Sequence, residues 1–199
     1  MSKAVLFSIK PKYCELIASG KKTIEVRKTR PKIDVPFKGY IYCTKPSKKH
    51  QTICGCMILN SDELYRHPKQ GIKYGDSIEL MCCNDEYSED NFLNGKVIGE
   101  FVCDNIIKFA ADKKADNIKL SNMELLSCLS SLELENYAGD KYYLYGFHIS
   151  DLVIYDKPKE LSEFEKPHEY IYQSYRKQNS FFKGITRPPQ SWGYVEELI

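Results

Sequence analysis

The residues best suited to chemistry lie in one short alternating segment, GKKTIEVRK, near the amino terminus. Ile24 and Val26 form the apolar side of a pattern that is typical of a half-buried strand. Thr23, Glu25 and Arg27 form its polar side. Because same-face neighbours on a strand can interact, we expect Glu25 and Arg27 to pair, which would keep the carboxylate ionised. The polar side therefore offers a hydroxyl, an acid and a base.

Two lysines, Lys21 and Lys22, precede this strand. Lys22 lies at the predicted helix-to-strand junction, where it can hold a phosphate or polarise a carbonyl group, and burial would lower its pKa towards that of a catalytic base. Lys22 and Glu25 are our candidate catalytic residues. The candidate ligand-binding residues beside them are Lys21, Thr23 and Arg27. A solvated salt bridge is the alternative interpretation of the same pattern.

A second candidate lies in the segment YGFHISD. His148 alternates with aromatic residues, and we expect it to face away from them. If His148 lines a pocket, it is the best general acid or base in the chain, with Asp151 as the group that could orient its ring. We therefore include His148 among the candidate catalytic residues. A structural, hydrogen-bonded histidine is the alternative.

Two prolines stiffen a third segment, RPPQSWG, near the carboxyl terminus. A rigid loop that presents an amide, a hydroxyl and an indole suits nucleobase recognition, through hydrogen bonds to an edge and stacking on the ring. The candidate ligand-binding residues here are Gln190, Ser191 and Trp192, and Arg187 is a candidate phosphate contact. Alternatively, Trp192 fills the core.

Two further groups extend the candidate site. Glu100, in GKVIGEF, is a candidate ligand-binding residue, because a second carboxylate near Glu25 would allow acid–base or metal chemistry. The clearest basic cluster lies in the turn TKPSKKH and contains Lys45, Lys48 and Lys49. This cluster is either solvated or in contact with phosphate.

Eight cysteines without a recognisable export signal favour buried, reduced thiols over disulfides. Cys54 and Cys56 would project from one face of a strand near His50, which resembles half of a zinc site. No second CxxC or HxxxH pattern completes a set of four ligands. We therefore predict neither a metal nor another cofactor, with structural zinc as the alternative.

The composition is that of a globular protein. The chain has 199 residues, 42% of them hydrophobic, and a net charge of only +2, so nucleic-acid binding would need a local basic patch. No apolar stretch is long enough for a transmembrane helix, and the apolar stretch at the amino terminus is too short for a signal peptide. We therefore expect a cytoplasmic protein without a membrane partner.

The predicted elements are mainly strands. Helices are predicted in SIKPKYCELIASGKK, ending near Gly20, and in SNMELLSCLSSLELENYAG, capped by Ser121 and Glu124. The predicted strands are AVLFSI, TIEVRK, GYIYCT, TICGCMIL, IELMCC, GKVIGEFVCDNIIKF and SWGYVEEL, and YYLYGFHISDLVIYD is predicted to be rich in strand. Gly99 predicts a bulge. The economical architecture is a closed or nearly closed antiparallel barrel with helices at its mouth.

The sequence resembles the ASCH domain family, within the PUA-like β-barrel superfamily. The amino-terminal signature of that family is G-x-K-x-x-E-x-R, and its fixed positions are occupied here by Gly20, Lys22, Glu25 and Arg27. Four more segments follow in family order: YIYCTKP, GKVIGEF, YGFHISDLVIYDKPKEL and RPPQSWGYVEEL.

This resemblance implies an α+β fold, a PUA-like mixed or antiparallel β-barrel with helices at its mouth and an elaborated insertion. A single domain would span residues 1–199. A family-variable insertion is expected at about 47–94, and an irregular arm at about 157–189.

The resemblance also implies three functional hypotheses. The first is an RNA- or nucleotide-binding protein that recognises a base or phosphate in a polar cleft. The second is a hydrolase, an amidohydrolase or ribonuclease, acting on RNA or on an acylated or modified cytidine nucleoside. One bacterial branch resembles such an amidohydrolase and uses a lysine, a threonine and a glutamate. Lys22 occupies the position of that lysine, whereas Glu25 occupies the position of the threonine. The third is a protein-interaction domain that docks a partner through a tyrosine-rich arm, residues 164–182.

Overall fold

The computed structural model describes residues 2–45, 52–53, 80–81, 93–111, 117–167 and 184–198. Within these ranges the protein has a mixed α+β fold. The elements, in chain order, are β1 (Lys3–Ile9), α1 (Pro11–Ala18), β2 (Ile24–Arg27), β3 (Phe37–Cys43), β4 (Thr52–Ile53), β5 (Leu80–Met81), β6 (Lys96–Cys103), β7 (Ile106–Ala110), α2 (Asn117–Ser127), α3 (Ser131–Ala138), β8 (Tyr143–His148), β9 (Ser150–Glu160), a 3-10 turn (Leu161–Glu163) and β10 (Trp192–Glu196).

Two sheets make up most of the fold. The larger sheet has five strands in the order β10-β1-β3-β6-β9. Its β1–β3 pair is parallel and its other pairs are antiparallel. The smaller sheet has three antiparallel strands in the order β2-β8-β7. The short strands β4 and β5 pair only with each other in the described part of the chain.

The predicted closed barrel is wrong for the described residues, because the two sheets remain separate. Two predicted β segments each break and pass from one sheet to the other: GKVIGEFVCDNIIKF, which we predict as one long strand, and YYLYGFHISDLVIYD, which we predict as rich in strand. GKVIGEFVCDNIIKF supplies β6 and β7, with the break at Asp104 and Asn105, and YYLYGFHISDLVIYD supplies β8 and β9, with the break at Ile149. The predicted irregularity at Gly99 is confirmed, since the β6–β9 register shifts between Val97 and Gly99.

The main core lies between the two sheets and beneath α1. Phe7 is near its centre, with its ring centroid 5.6 Å from that of Phe101 and 5.3 Å from that of Phe147. A second cluster, around Tyr40 and Phe164, covers the other face of the five-stranded sheet. A third packs α2 and α3 against the smaller sheet. Because β2 has packed residues on both faces, all four of its residues are buried.

The segment SNMELLSCLSSLELENYAG forms parts of two helices rather than one. Cys128, just after α2, has a positive φ of 53°. The capping box begins α3 and uses Ser130 and Glu133, whereas we had predicted Ser121 and Glu124. Glu124 instead accepts a hydrogen bond from the first backbone N–H of α3. No helix in the described part of the chain is both long and apolar enough to span a membrane.

Ser130→Ala removes the hydroxyl that accepts the Glu133 backbone N–H at 3.2 Å. We expect this substitution to lower the free energy of unfolding by about 1 kcal/mol. Ser130→Asn keeps a side-chain acceptor at the same position and should retain most of the stability. Urea unfolding followed by circular dichroism measures both variants, and equal losses would contradict the capping role.

Candidate functional site

Three charged residues of the predicted site, Lys22, Glu25 and Arg27, meet in the interior; we call them the charged cluster. Glu25 and Arg27 extend from the face of β2 on which Glu25 lies opposite Phe147, a residue of the main core, and Lys22 reaches them from the segment just before β2. Lys22 is 2% exposed, Glu25 3% and Arg27 9%. This burial excludes the solvated surface salt bridge as an interpretation of the alternating segment.

Glu25 lies at the centre of the charged cluster. Its Oε1 is 2.6 Å from Arg27 Nη1, and its Oε2 is 3.4 Å from Lys22 Nζ. With Lys22 protonated, one carboxylate therefore faces two cations, and the cluster has a net charge of +1. Buried charge is costly unless it is compensated, so the excess positive charge favours an anionic or carbonyl oxygen as an additional partner.

Both helices that flank β2 hold Lys22 in place. Its Nζ donates to the Ser127 carbonyl at the end of α2 at 2.7 Å, and lies 5.3 Å from the centroid of the Tyr13 ring of α1. Burial lowers the pKa of Lys22, and the neighbouring Glu25 carboxylate partly opposes that shift. Lys22 is therefore the cation of the charged cluster that can most readily release a proton.

Arg27 connects the smaller sheet to the larger one. Its Nη2 donates to the Ser8 carbonyl of β1 at 2.6 Å, and its guanidinium carbon lies 6.0 Å from the centroid of the Phe7 ring. The Ser8 hydroxyl donates to the Pro189 carbonyl at 2.6 Å, and the Ser8 N–H donates to the Ser191 carbonyl at 3.0 Å. Ser8 thus links Arg27 to the RPPQSWG segment.

Two buried polar atoms of the charged cluster, Glu25 Oε2 and Arg27 Nε, have no hydrogen-bond partner among the described residues. The contact of Glu25 Oε2 with Lys22 is an ion pair that does not meet hydrogen-bond geometry. Buried polar groups in folded proteins are nearly always satisfied. Glu25 Oε2 can therefore still accept a hydrogen bond and Arg27 Nε can still donate one, and both side chains lie on the same face of β2. A ligand with a polar edge could form both of these hydrogen bonds.

The RPPQSWG segment is divided between core and surface. Trp192 is partly buried against the main core, opposite Phe7 in the β1–β10 pair. Its indole N–H points at Thr29, with the carbonyl at 3.2 Å and the hydroxyl at 3.1 Å. Gln190 and Arg187 are exposed. Trp192 therefore helps to fill the core while it remains at the edge of the region linked to Arg27.

Thr23 and Lys21 lie beside the charged cluster. The Thr23 backbone connects three segments, since its N–H donates to the Leu126 carbonyl and its carbonyl accepts from the Ile149 N–H, each at 2.9 Å. The side chain of Lys21 is exposed, and its carbonyl accepts from the Cys128 thiol at 3.3 Å. Lys21 therefore presents its charge to solvent.

Glu100 does not join the charged cluster. It lies on the opposite face of the five-stranded sheet, the face that carries Tyr40. There its Oε1 is 3.1 Å from Lys38 Nζ, and its Oε2 accepts from the Tyr155 hydroxyl at 2.5 Å. The expected approach of Glu100 to Glu25 is therefore wrong, because the strand register turns the two carboxylates towards different layers.

His148 also lies apart from the charged cluster. It is paired with Ile24, so it faces the side of the smaller sheet opposite to Glu25. Its Nδ1 is 2.6 Å from Asp104 Oδ1, and the hydrogen bond from His148 lowers the pKa of Asp104. Asp104, rather than the predicted Asp151, orients the imidazole. The expected orientation away from the aromatic residues is correct, but it separates His148 from Lys22 and Glu25.

None of the cysteines among the described residues, Cys14, Cys43, Cys103 and Cys128, forms a disulfide. Burial raises the pKa of Cys103 to about 12, as expected for an unreactive core thiol. Within the described ranges, no group of three or more His, Cys, Asp or Glu residues could hold a metal ion. The candidate zinc ligands Cys54, Cys56 and His50 lie outside the described residues.

Other predictions also fall outside the described residues. They concern Lys48, Lys49, most of the 47–94 insertion and positions 168–183 of the arm. The start of the arm is more regular than we expected, since β9 continues to Glu160 and the 3-10 turn follows.

The net charge of the whole chain is low, but the part of the sequence that contains the charged cluster is strongly basic. Residues 1–45 contain eleven Lys and Arg residues but only three Asp and Glu residues, a net charge of +8, and the remaining residues have a net charge of −6. The first segment forms β1, α1, β2 and β3. A count by segment would have found this asymmetry from the sequence.

Comparisons with known proteins identify one family. A family model described as ASCH domain matches residues 7–189. Two mutant proteins of an ASCH protein from Zymomonas mobilis have similar crystal structures, with TM-scores of 0.54 and 0.53 at 17% and 16% sequence identity. Each similarity covers 98% of this chain, and 92% and 89% of the other chain, respectively. No curated protein matches the sequence. At such low identity the structural similarity shows the fold alone.

Glu25→Gln leaves two buried cations without their carboxylate, and we expect it to lower the free energy of unfolding by about 3 to 5 kcal/mol. Glu100→Gln is the matched control, because it also removes the ion-pair partner of a lysine, but both side chains there are 25% exposed. Its expected cost is at most about 1 kcal/mol. Urea unfolding at neutral pH compares the two, and similar losses would show that burial does not set the energy of the charged cluster.

Proposed function

Because the chain belongs to the ASCH domain family, which is broadly RNA-binding, we propose that it binds RNA, or a nucleotide within RNA, at the charged cluster. The observation that carries this proposal is the burial of two cations around one carboxylate. A buried excess of positive charge is compensated by an anionic ligand such as a phosphate, or by the oxygen-rich edge of a base.

The two cations suit different parts of a nucleotide. The Arg27 guanidinium is planar and fixed by Glu25 and Ser8, so it favours a flat ligand edge, whereas the Lys22 ammonium is a point charge suited to a phosphate or carbonyl oxygen. The open donor Arg27 Nε and the open acceptor Glu25 Oε2 match the alternating donors and acceptors of a nucleobase. The charged cluster can therefore recognise a base and hold a neighbouring oxygen.

The surroundings of the charged cluster suit a polyanion. The exposed residues Lys10, Lys12, Lys21 and Lys28 lie in the segments that flank α1 and β2, within the part of the chain whose net charge is +8. Basic residues around a recessed site attract a phosphate backbone and raise its rate of association. We assign base recognition to Arg27 and Glu25 of the charged cluster, and contacts with the phosphate backbone beyond that base to the basic residues around the cluster.

The remaining candidates have supporting roles in this proposal. Thr23, Gln190, Ser191 and Trp192 lie on segments attached to β2 or to Ser8, and Arg187 lies near them in sequence. The hydrogen bonds of Ser8 to the RPPQSWG segment fix the position of that segment beside Arg27. A rigid segment with an indole is well suited to stack on a bound base.

Arg27→Lys keeps a positive charge but loses the guanidinium fork, and we expect the Kd for single-stranded RNA to rise at least about tenfold. Fluorescence polarisation with a labelled RNA at low salt measures the change. Lys159→Ala, which removes a cation from the edge strand β9, is the control and should bind like the wild type. Unchanged affinity in a folded Arg27→Lys variant would remove Arg27 from the binding site, and a wild-type protein that retains no RNA would refute the proposal.

A hydrolase acting on RNA or on an acylated cytidine nucleoside is a second candidate function. It is favoured by the burial that lowers the pKa of Lys22, because a lysine with a lowered pKa can act as a general base. Glu25, 3.4 Å from that lysine, is the other candidate catalytic residue. His148 faces the other side of the sheet, so the hydrolase candidate rests on Lys22 and Glu25 alone. The protein-interaction hypothesis depends on an arm that lies mostly outside the described residues.

Incubation with single-stranded RNA and acylated cytidine nucleosides, read by mass spectrometry, tests the hydrolase candidate. We expect the rate to increase with pH below the usual titration range of lysine, because the unprotonated fraction of Lys22 grows as the pH rises through its lowered pKa. Lys22→Met should form no product, and Lys159→Met should behave like the wild type. If the wild type forms no product either, the hydrolase candidate is refuted and the binding proposal remains.

A further inference from the structure

A row of side chains leads from the charged cluster along one face of the smaller sheet. Arg27 lies opposite Tyr145 of β8, and Tyr145 lies opposite Lys108 of β7. Because side chains two positions apart on a strand share a face, Tyr143 continues this row beyond Tyr145. The side chains that bind at the charged cluster and the side chains at the end of β8 therefore belong to one continuous surface.

This row emerges from the core towards solvent. Phe147, at its inner end, is fully buried, and Tyr145 is partly buried against the main core. Tyr143 is 45% exposed, and the adjoining Tyr142 is 55% exposed. Each step of two residues advances ~6.8 Å along the strand. The side chains of the row thus change from buried to exposed over a short distance.

The outer end of the row combines two exposed rings with a cation. The Tyr142 and Tyr143 rings pack edge to face, with centroids 4.7 Å apart and planes at 88°. Lys108 Nζ lies 3.9 Å from the centroid of the Tyr143 ring. Exposed Lys141 precedes the two tyrosines, and Asp140 is the acid next to it. We call Lys108, Tyr142 and Tyr143 the tyrosine platform.

We propose that the tyrosine platform stacks on a base of single-stranded RNA while another nucleotide of the same strand occupies the charged cluster. Lys108 would contact the phosphate backbone between them, since it lies two strand spacings, ~10 Å, from Arg27 across the sheet. This inference rests on the proposed function and names its substrate class: a short single strand rather than a free nucleoside or nucleotide.

Three observations favour RNA as the occupant of the tyrosine platform. The row is continuous with the charged cluster, a lysine lies over one exposed ring, and β2, the strand beside β8, belongs to the basic segment 1–45. Aromatic stacking tolerates every base, because each base has a π-face. The tyrosine platform would therefore add affinity, and the charged cluster would supply discrimination between bases. A protein partner is the alternative occupant, and the experiment below separates it from RNA.

The experiment compares a labelled hexanucleotide RNA of mixed sequence with a mixture of the four mononucleotides used as competitors. The wild type should bind the hexanucleotide more tightly. Tyr143→Ala should weaken hexanucleotide binding at least about fivefold and leave mononucleotide binding unchanged. Tyr143→Phe keeps the ring and should bind like the wild type. Lys108→Ala removes the proposed phosphate contact and should also weaken hexanucleotide binding. Its matched control is Lys159→Ala, which should bind like the wild type and removes a lysine 5.5 Å from the centroid of the Tyr155 ring in the other sheet.

The outcomes distinguish this inference from the function on which it rests. If Tyr143→Ala binds the hexanucleotide like the wild type while Arg27→Lys binds it less tightly, the tyrosine platform is refuted as an RNA site and the proposed function remains. If Tyr143→Ala weakens both probes equally, the length-dependent role is refuted. If the wild type binds neither probe, both proposals are refuted. Thermal melting of each variant confirms that the compared proteins are folded.

Discussion

The burial of Glu25 between two cations is the constraint on which the rest of the structure depends. A carboxylate in the interior is tolerated only when charge and hydrogen bonds compensate it. Lys22 and Arg27 supply the charge from either side of Glu25. Each cation also donates to a backbone carbonyl, Lys22 to that of Ser127 in α2 and Arg27 to that of Ser8 in β1. The position of one carboxylate therefore requires both sheets and a helix end to be in place.

Stability alone does not account for this arrangement. Buried ion pairs often contribute no more than apolar residues of similar size. Another ionic network among the described residues differs from the charged cluster, because Lys38 and Glu100 are partly exposed and the Glu100 carboxylate accepts a hydrogen bond from the Tyr155 hydroxyl. There, burial and the adjacent Glu100 both raise the pKa of Tyr155. The charged cluster, in contrast, has excess positive charge and two buried polar atoms without hydrogen-bond partners among the described residues. This combination is typical of ligand-binding sites.

The alternating pattern of the first segment predicted a strand with two different faces, and the structure has that strand. It could not predict that the polar face is buried, because the residues that cover it, among them Phe7 and Phe147, come from distant parts of the chain. In YGFHIS the alternation also continues unchanged through Ile149, where the chain leaves one sheet for the other. A period of two residues indicates on which face of a strand a side chain lies. It does not indicate which sheet or core cluster that face packs against. For this reason the orientation of His148 was predictable, whereas its separation from Glu25 was not.

In the proposed nucleotide complex, the surroundings of Lys22 favour one part of the ligand over another. Its ammonium already donates to the carbonyl at the carboxyl end of α2, where the helix dipole adds negative potential. A ligand oxygen must compete with that carbonyl and with Glu25 for the same donors. An anionic oxygen competes better than a neutral one, because hydrogen bonds between charged groups are about twice as strong. In the proposed complex, Lys22 therefore favours a phosphate oxygen over a neutral carbonyl, and Arg27, with its open Nε, contacts the base.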